Sequence, residues 1–448
     1  MEAQVPVAVL GGGVAGLAAG LAARDMGLPF RIFEKSGRTG GNCVTFSHGE
    51  FRFDSGAHRF HDRDAAATGQ FRRLLGDRFQ QIRLPSQVRH GAAFLAFPFT
   101  AADLAAKLGW PFLLRVAGEV MASRLRRRSG GDDFASHQTR RYGPTLARLF
   151  LLNYSEKLWG LPAGRLSAEI AGDRLQGLDS TAFLKALLLP AAASAGHLEG
   201  AFYYPDGGIG AISDALAAAC GSGGIRTGAE VSRIRHDRRR ILAVEIGQKE
   251  AVSCAAVVST LPLDRFLRLL DPAPPADVLA AAAFRFRQLA LVALFLDRET
   301  VTRAATLYFP EPCFPFTRVS EPKNRSSLMA PPGRTSLVAE LPYFPGEPLG
   351  ELADDRLVDS TVRHLADAGL IVAGQVRDAC VRRLADAYPV LEKGVEDRRR
   401  AIMAYLSGFA NLRVVGRCGT FRYRHIHHLL PEAGQAVASL RLQGGRHE

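Results

Sequence analysis

Val5–Leu10 (VPVAVL) is a short, unbroken apolar run that ends in glycines, the pattern of a strand buried on both faces of a parallel sheet. Val14–Met26 then reads as a helix, and Gly27 sits where a C′ glycine would stop it. Pro29–Phe33 (PFRIF) reads as a second strand that delivers Glu34 at its end. Together they form one βαβ unit. From about residue 66 to 200 alanine, leucine and arginine dominate and strand-like runs are scarce, which predicts a mainly helical insertion. Within it Phe94–Phe99 (FLAFPF) reads as a short strand pair or an aromatic wall. The pattern reverts near Tyr203. Ile209–Cys220 reads as a helix after the turn Asp206–Gly208, and Glu230–Ile234, Ile241–Ile246 and Ala255–Ser259 read as strands that rejoin the first sheet. Phe284–Leu296, Thr306–Phe309, Phe316–Ser320 and Ser336–Leu341 predict a second, largely antiparallel sheet. Helices about Asp354–Ala368 and Val395–Ser407 follow, then a last buried strand, Asn411–Val415, ending at Gly416.

This order predicts an α/β protein of 448 residues with a Rossmann-type domain on a parallel sheet, a helical insertion and an antiparallel substrate-binding sheet. The first domain is discontinuous (1–65, 205–275 and 396–448), the insertion covers 66–204, and the substrate domain covers 276–395. Apolar residues make up 47% and charged residues 23%, an ordinary globular composition. The most apolar stretch, near Phe183–Pro190, carries Lys185 and ends in proline, so no membrane span is expected. With the first strand starting about Val5 no leader is expected, and the six cysteines are scattered without a CxxC pair. Both fit a reducing cytoplasm, and neither a zinc site nor a disulfide framework is expected. The net charge of +13 either attracts anionic partners, such as nucleotides, nucleic acid or membrane surfaces, or reflects solvated arginine-rich faces. The runs Arg124–Arg128 and Arg235–Arg240 lack interleaved aromatics, which argues against nucleic acid.

The chemistry begins after the first strand. Gly11-Gly12-Gly13-Val14-Ala15-Gly16 is GxGxxG, following a strand and opening a helix, with Glu34 18 positions beyond Gly16 at the end of the next strand. Gly11 permits the turn, Gly13 lets a pyrophosphate approach the backbone, and Gly16 lets helix and sheet pack closely. Free N–H groups at the helix start favour the phosphates, and an acid at Glu34 suits ribose hydroxyls.

The next segment, Lys35-Ser36-Gly37-Arg38-Thr39-Gly40-Gly41, resembles the second glycine signature of FAD-dependent amine oxidases. Gly40-Gly41-Asn42 and Asp54-Ser55-Gly56-Ala57-His58-Arg59-Phe60-His61 resemble the GGN and GAHxFH of UDP-galactopyranose mutases. Tyr154–Gly160 (YSEKLWG), Phe316–Glu321 and Gly416–Tyr423 (GRCGTFRY) are similar to further mutase motifs. Tyr204–Gly210 (YPDGGIG), Ser320–Asn324 (SEPKN) and Ala387–Val390 resemble instead the protoporphyrinogen-oxidase-like flavoproteins. Arg424-His425-Ile426-His427-His428 departs from the mutase pattern, and its histidines are poorly spaced for tetrahedral ligation, so no metal is expected.

The resemblance implies a Rossmann-type FAD-binding domain with non-covalent FAD. It implies cofactor contacts from Gly11, Gly13, Ala15, Gly16, Glu34, Lys35, Arg38, Gly40, Gly41, Asn42, Gly56, Ala57, His58, Val231, Gly416 and Arg417. Catalytic or substrate-facing roles fall to His58, His61, Arg287, Arg318 and Tyr423. His58 and His61 are candidates to hydrogen-bond the flavin or act as bases near neutral pH, or else are satisfied in a cleft wall. Arg287, Arg318 and Arg417 either converge on an anionic group or are solvated. Trp159 and Tyr154 offer a stacking face or core packing. Two activities are expected: an oxidoreductase passing hydride from a small, anionic substrate, such as a nucleotide-sugar or a biosynthetic intermediate, to the flavin, or a non-redox mutase acting on a UDP-sugar through reduced flavin. The oxidase-like motifs favour the first. The sequence sets no oligomeric state.

Overall fold

The computed structural model describes residues 3–125, 131–171, 201–248 and 250–440. The Phe183–Pro190 stretch, residues 126–128 of the arginine run and the part of the expected insertion from 172 to 200 lie outside the described residues. Two sheets organise the rest.

In the first, eight-stranded sheet, Ala3–Leu10 lies between Phe30–Phe33 and Glu250–Ser259 and runs parallel to both. Val7 to Leu10 are fully buried, which is why this strand has no polar face. The sheet continues antiparallel through Ile241–Ile246 and Val231–His236, and Leu412–Val414 joins Glu250–Ser259 in parallel. The helix Val14–Asp25 covers the sheet and packs beside Gly210–Cys220 and Ile426–Ala438.

The second sheet has seven strands, in the order Val376–Pro389, Phe286–Leu296, Thr335–Tyr343, Arg318–Ser320, Thr306–Tyr308, Ser86–His90, Ala93–Phe97. Its pairs are antiparallel except Thr306–Tyr308 with Ser86–His90. Two features depart from the sequence reading. Val376–Pro389 (VRDACVRRLADAYP) is a strand despite its many charges, because it is an edge paired on one side, with Phe286–Leu296, where charged side chains are tolerated. The segment read as mainly helical supplies four strands. Ser86–His90 and Ala93–Phe97 extend the second sheet, and Phe79–Arg83 pairs with Ala201–Pro205. Ala93–Phe97 falls on the Phe94–Phe99 run read as a strand pair or an aromatic wall; at five residues each, the other three strands are too short to show an alternation. Among the described residues no helix is long and apolar enough to cross a membrane.

Candidate active site

The first glycine loop is built to leave room. An added Cβ on Gly16 would lie 1.9 Å from the carbonyl oxygen of Gly11, so close packing of helix on loop demands glycine there. Gly13 is different. It has an ordinary extended backbone (φ −72°, ψ 179°), and the nearest protein atom to an added Cβ is the Cα of Gly41, 3.9 Å away. The protein itself does not need glycine at this position; a ligand lying on the backbone would. Gly13 is also the N-cap of Val14–Asp25 and provides no side-chain cap, and the first turn carries no acid, so the helix start is left to accept an anion.

Glu34 is buried beside this loop. Its Oε2 accepts from Gly12 N (2.7 Å) and its Oε1 from Ser36 N (2.9 Å) and Ser36 Oγ (2.7 Å). A carboxylate has about four acceptor positions, so capacity remains for a sugar hydroxyl. The second glycine loop is fastened to the first, with Gly40 N donating to Gly12 O (2.8 Å) and Gly13 bridging Gly40 in parallel. Arg38 is exposed and donates to the carbonyls of Thr39 and Gly41. Lys35 is exposed, and Val231 is buried at the start of its strand. Gly416 packs against Ala15 at the helix start.

From the cradle a chain of contacts leads inward. Asn42 O accepts from Ser55 Oγ (2.7 Å), and Ser55 Oγ lies 3.1 Å from His58 Nε2. Since the hydroxyl proton points at Asn42, this network assigns the His58 proton to Nε2 and leaves Nδ1 as the acceptor. The hairpin that carries these residues, Thr45–His48 with Phe51–Asp54, is pinned by buried Asp54. Asp54 accepts from Tyr204 OH (2.5 Å), Thr45 Oγ1 (2.7 Å) and Ile209 N (3.0 Å), which explains the Tyr204–Gly210 motif as a clamp rather than a contact surface.

Beyond His58 lies a cavity of about 620 Å³. Of the residues predicted to act, Ala57, His58, His61, Arg318, Arg417 and Tyr423 line it. Arg318 Nη2 reaches Glu340 Oε2 (2.7 Å) and donates to Tyr388 OH (2.9 Å), while Glu340 Oε1 accepts from Ala57 N (2.7 Å). Arg417 donates twice to Arg424 O and lies over the Tyr423 ring at 4.9 Å. Arg59, Arg63 and Arg83 also line the cavity, and among the described residues the one lining carboxylate is Asp62. Arg59 donates to Ser86 Oγ (2.7 Å) and Thr306 Oγ1 (2.9 Å). The remaining lining mixes polar side chains, among them Gln81, Ser86, Ser155 and His425, with an aromatic wall of Phe97, Phe150, Tyr154 and Tyr308.

Burial, then the charges of Arg417 and Arg318, pushes His58 down to about 3; burial, then Arg59 and Arg63, does the same to His61. Both rings are thereby held in the neutral form near pH 7. Arg287 is not among the residues lining this cavity. It is buried beneath Gly160, donates to Pro342 O (2.6 Å) and Glu347 Oε2 (3.3 Å), and stacks on Phe344. It lies on a central strand flanked on both sides, and its guanidinium packs against Gly160. Trp159 packs behind Tyr388 and Tyr423, and Tyr154 alone of that pair reaches the cavity. In the histidine segment, His425 N donates to His428 Nδ1 at the start of Ile426–Ala438, and His427 is buried. Among the described residues no group of three His, Cys, Asp or Glu is arranged to hold a metal.

Sequence reasoning missed Arg59, Arg83, Tyr308 and Glu340. Glu340 left a signal: a lone carboxylate within the apolar strand Thr335–Tyr343 (TSLVAELPY) must be paired if buried.

The open backbone at Gly13, the uncapped helix start and the spare acceptor capacity of Glu34 fit a dinucleotide, and the adjoining cavity has room for a flavin ring and a small molecule. Comparison with known proteins agrees. The family described as flavin containing amine oxidoreductase matches over residues 14–416. A phytoene dehydrogenase of Streptomyces griseus is 30% identical over 295 residues, which are 60% of this chain and 56% of that protein. The match thus spans little more than half the length of that relative. A reduced UDP-galactopyranose mutase superposes with a TM-score of 0.83 at 20% identity, covering 97% of this chain and 95% of the other. A protoporphyrinogen oxidase candidate from Exiguobacterium sp. 255-15 gives 0.76 at 16% identity, covering 98% and 99%. Cyclohexylamine oxidase from Brevibacterium oxydans gives 0.69 at 16% identity, covering 97% and 98%. These structures share the fold; with the family match over most of its length, the chain belongs to the flavin containing amine oxidoreductases, with FAD as its cofactor.

Proposed function

We propose that the protein oxidises a small anionic molecule with an apolar or aromatic body, in the cavity beside His58. The observation that carries this reading is the cavity's composition: among the described residues five arginines and one carboxylate line it, next to an aromatic wall. Bound FAD would supply hydride acceptance, held through its diphosphate at Gly11–Gly16 and its ribose at Glu34. Arg38 would counter the phosphate charge, and Gly40, Gly41, Asn42, Gly56, Val231 and Gly416 would flank the cofactor.

The chain's own part is placement. Arg59 and Arg417 are held by hydroxyls and carbonyls rather than carboxylates, so each keeps its charge for an incoming anion. Arg318 is already matched by Glu340, so it orients Tyr388 more than it adds net charge. Phe97, Phe150, Tyr308 and Tyr423 exclude water from the substrate body. Neutral His58 presents an acceptor at Nδ1 and takes up no proton near pH 7.

A second reading, a mutase acting on a UDP-sugar, draws on the same arginines, which would suit a diphosphate. Anaerobic mixing decides between them. An oxidoreductase substrate bleaches the oxidised flavin; a mutase substrate leaves the spectrum unchanged and turns over only after chemical reduction. A panel of anionic and neutral candidates in which only neutral ones bleach the flavin would overturn the anionic assignment.

A further inference from the structure

We propose that Asp386 is a positioning residue of the cavity: held in a left-handed conformation, it keeps a bulge in the edge strand Val376–Pro389 that sets the Tyr388 phenol on Arg318. The inference rests on the cavity beside His58 being the place of reaction. Where this strand pairs with Phe286–Leu296, Leu384 stands opposite Leu289 and Tyr388 opposite Arg287. Three residues, Ala385 to Ala387, thus face Gln288 alone, so two of them are extra. In a regular pair Asp386 would stand opposite Arg287. Tyr388 would then lie two residues further along, a displacement of about 7 Å that takes its phenol away from Arg318. The bulge instead leaves Tyr388 in the cavity wall, where its OH accepts from Arg318 Nη2 (2.9 Å).

The bulge turns on Asp386, whose φ is +51°. After glycine, Asn and Asp tolerate this region best, and a β-branched residue tolerates it worst. Among the described residues three other than glycine have positive φ: Arg238, Asp386 and Phe421. Arg238 belongs to the turn between Val231–His236 and Ile241–Ile246. The other two each stand two positions before a tyrosine of the cavity wall, Tyr388 and Tyr423, whose rings lie 6.5 Å apart and 20° from parallel. Such conformations persist where neighbours fix them. Asp386 is fixed by two neighbours from outside its own sheet. Arg265 Nη2, on the helix Leu263–Leu269, pairs with Asp386 Oδ2 (2.7 Å). Asn42 Nδ2 lies 3.5 Å from the carbonyl oxygens of both Ala385 and Asp386. Asn42 follows the second glycine loop, so the bulge links that loop to the cavity wall.

The test uses the FAD-loaded protein. The chain has two tryptophans, and the Trp159 ring lies 5.9 Å from that of Tyr388, so in a Trp110→Phe background indole emission reports on this contact. Tyr388→Ala sets the red shift expected when Trp159 loses the ring. Asp386→Val, which resists positive φ, should reproduce most of that shift. It should also raise KM roughly tenfold for whichever anion bleaches the flavin, the effect of losing one hydrogen bond to a charged group in the wall. Asp386→Asn and Asp386→Gly accept positive φ and should recover most of both, although neither keeps the charge that pairs with Arg265. If Asp386→Val holds no flavin, Asp386→Ala carries the same comparison. Emission identical to the parent in Asp386→Val, or in Asp386→Ala in its place, overturns the proposal. So does impairment by Asp386→Asn and Asp386→Gly equal to that by Asp386→Val, which would reduce Asp386 to a partner of Arg265. If no anion bleaches the flavin, the functional reading falls, while the emission series still decides whether Asp386 sets Tyr388.

Discussion

Gly13 and Gly16 sit three positions apart in one loop, yet the structure predicts opposite consequences for substituting them. Gly13→Val places its side chain where the nearest protein atom to the new Cβ is 3.9 Å away, on a backbone that valine adopts without strain. The fold of the apoprotein should hardly notice. Losing glycine at an N-cap costs about 0.5–1 kcal/mol, and stiffening the unfolded chain returns a similar amount. The cofactor should notice a great deal. Valine fills the approach to the N–H groups of the helix start and displaces the diphosphate. Two lost charge-assisted hydrogen bonds at about 1.5–3 kcal/mol each weaken FAD by roughly 10²–10⁴-fold. Gly16→Val, by contrast, drives a side chain into Gly11 O at 1.9 Å and should destabilise the apoprotein itself. The assay is FAD titration of each deflavinated variant, with denaturant unfolding of the apoprotein in parallel. A Gly13→Val protein that binds FAD as tightly as the parent would refute the cradle. An equal loss of apoprotein stability in both variants would show that Gly13 is structural.

Four further outcomes follow from the same geometry. Arg318→Met strands the buried Glu340 carboxylate and should cost about 3–5 kcal/mol in unfolding free energy, with Glu340→Gln on top restoring part of it; a loss below about 1 kcal/mol would contradict the pairing. Arg287→Met should lower stability through the lost Pro342 and Glu347 contacts and leave KM for the substrate unchanged; a KM effect alone would return Arg287 to the site. His58 is held near 3 in the folded protein against an ordinary 6.5, so the unfolded chain binds the extra proton between those values and stability falls as pH drops through that window. At about 1.4 kcal/mol per pH unit, His58→Asn should lose about 2 kcal/mol less than the parent between pH 7 and pH 5, and identical losses would refute the buried neutral ring. Glu34→Ala removes the acceptor for Gly12 and Ser36 as well as for a ribose, so FAD affinity should drop by at least tenfold; full retention in a titration would count against the acid's assignment.

What the sequence made legible was the part governed by local rules. The strand Ala3–Leu10, the glycines after it and Glu34 are fixed by neighbours within one βαβ unit, so spacing alone identified them. The second sheet was read only in part. Val376–Pro389 has the polarity of a surface strand and no alternation, because its pairing partner lies about a hundred residues away in the chain, at Phe286–Leu296. The cavity was harder still. Arg287 and Arg318 look alike in sequence, each among apolar residues on a strand; only the tertiary arrangement turns one towards Glu340 and the cavity and the other beneath Gly160. Likewise His58 and His61 are ordinary histidines until burial and neighbouring arginines hold them neutral.

Everything about the site depends on a dinucleotide lying along Gly11–Gly16 with its sugar at Glu34. The absorption spectrum of the purified, folded protein, followed by identification of the nucleotide released on denaturation, tests that most directly. The account predicts a yellow protein that releases equimolar FAD. A colourless protein that takes up no FAD when supplied would contradict it.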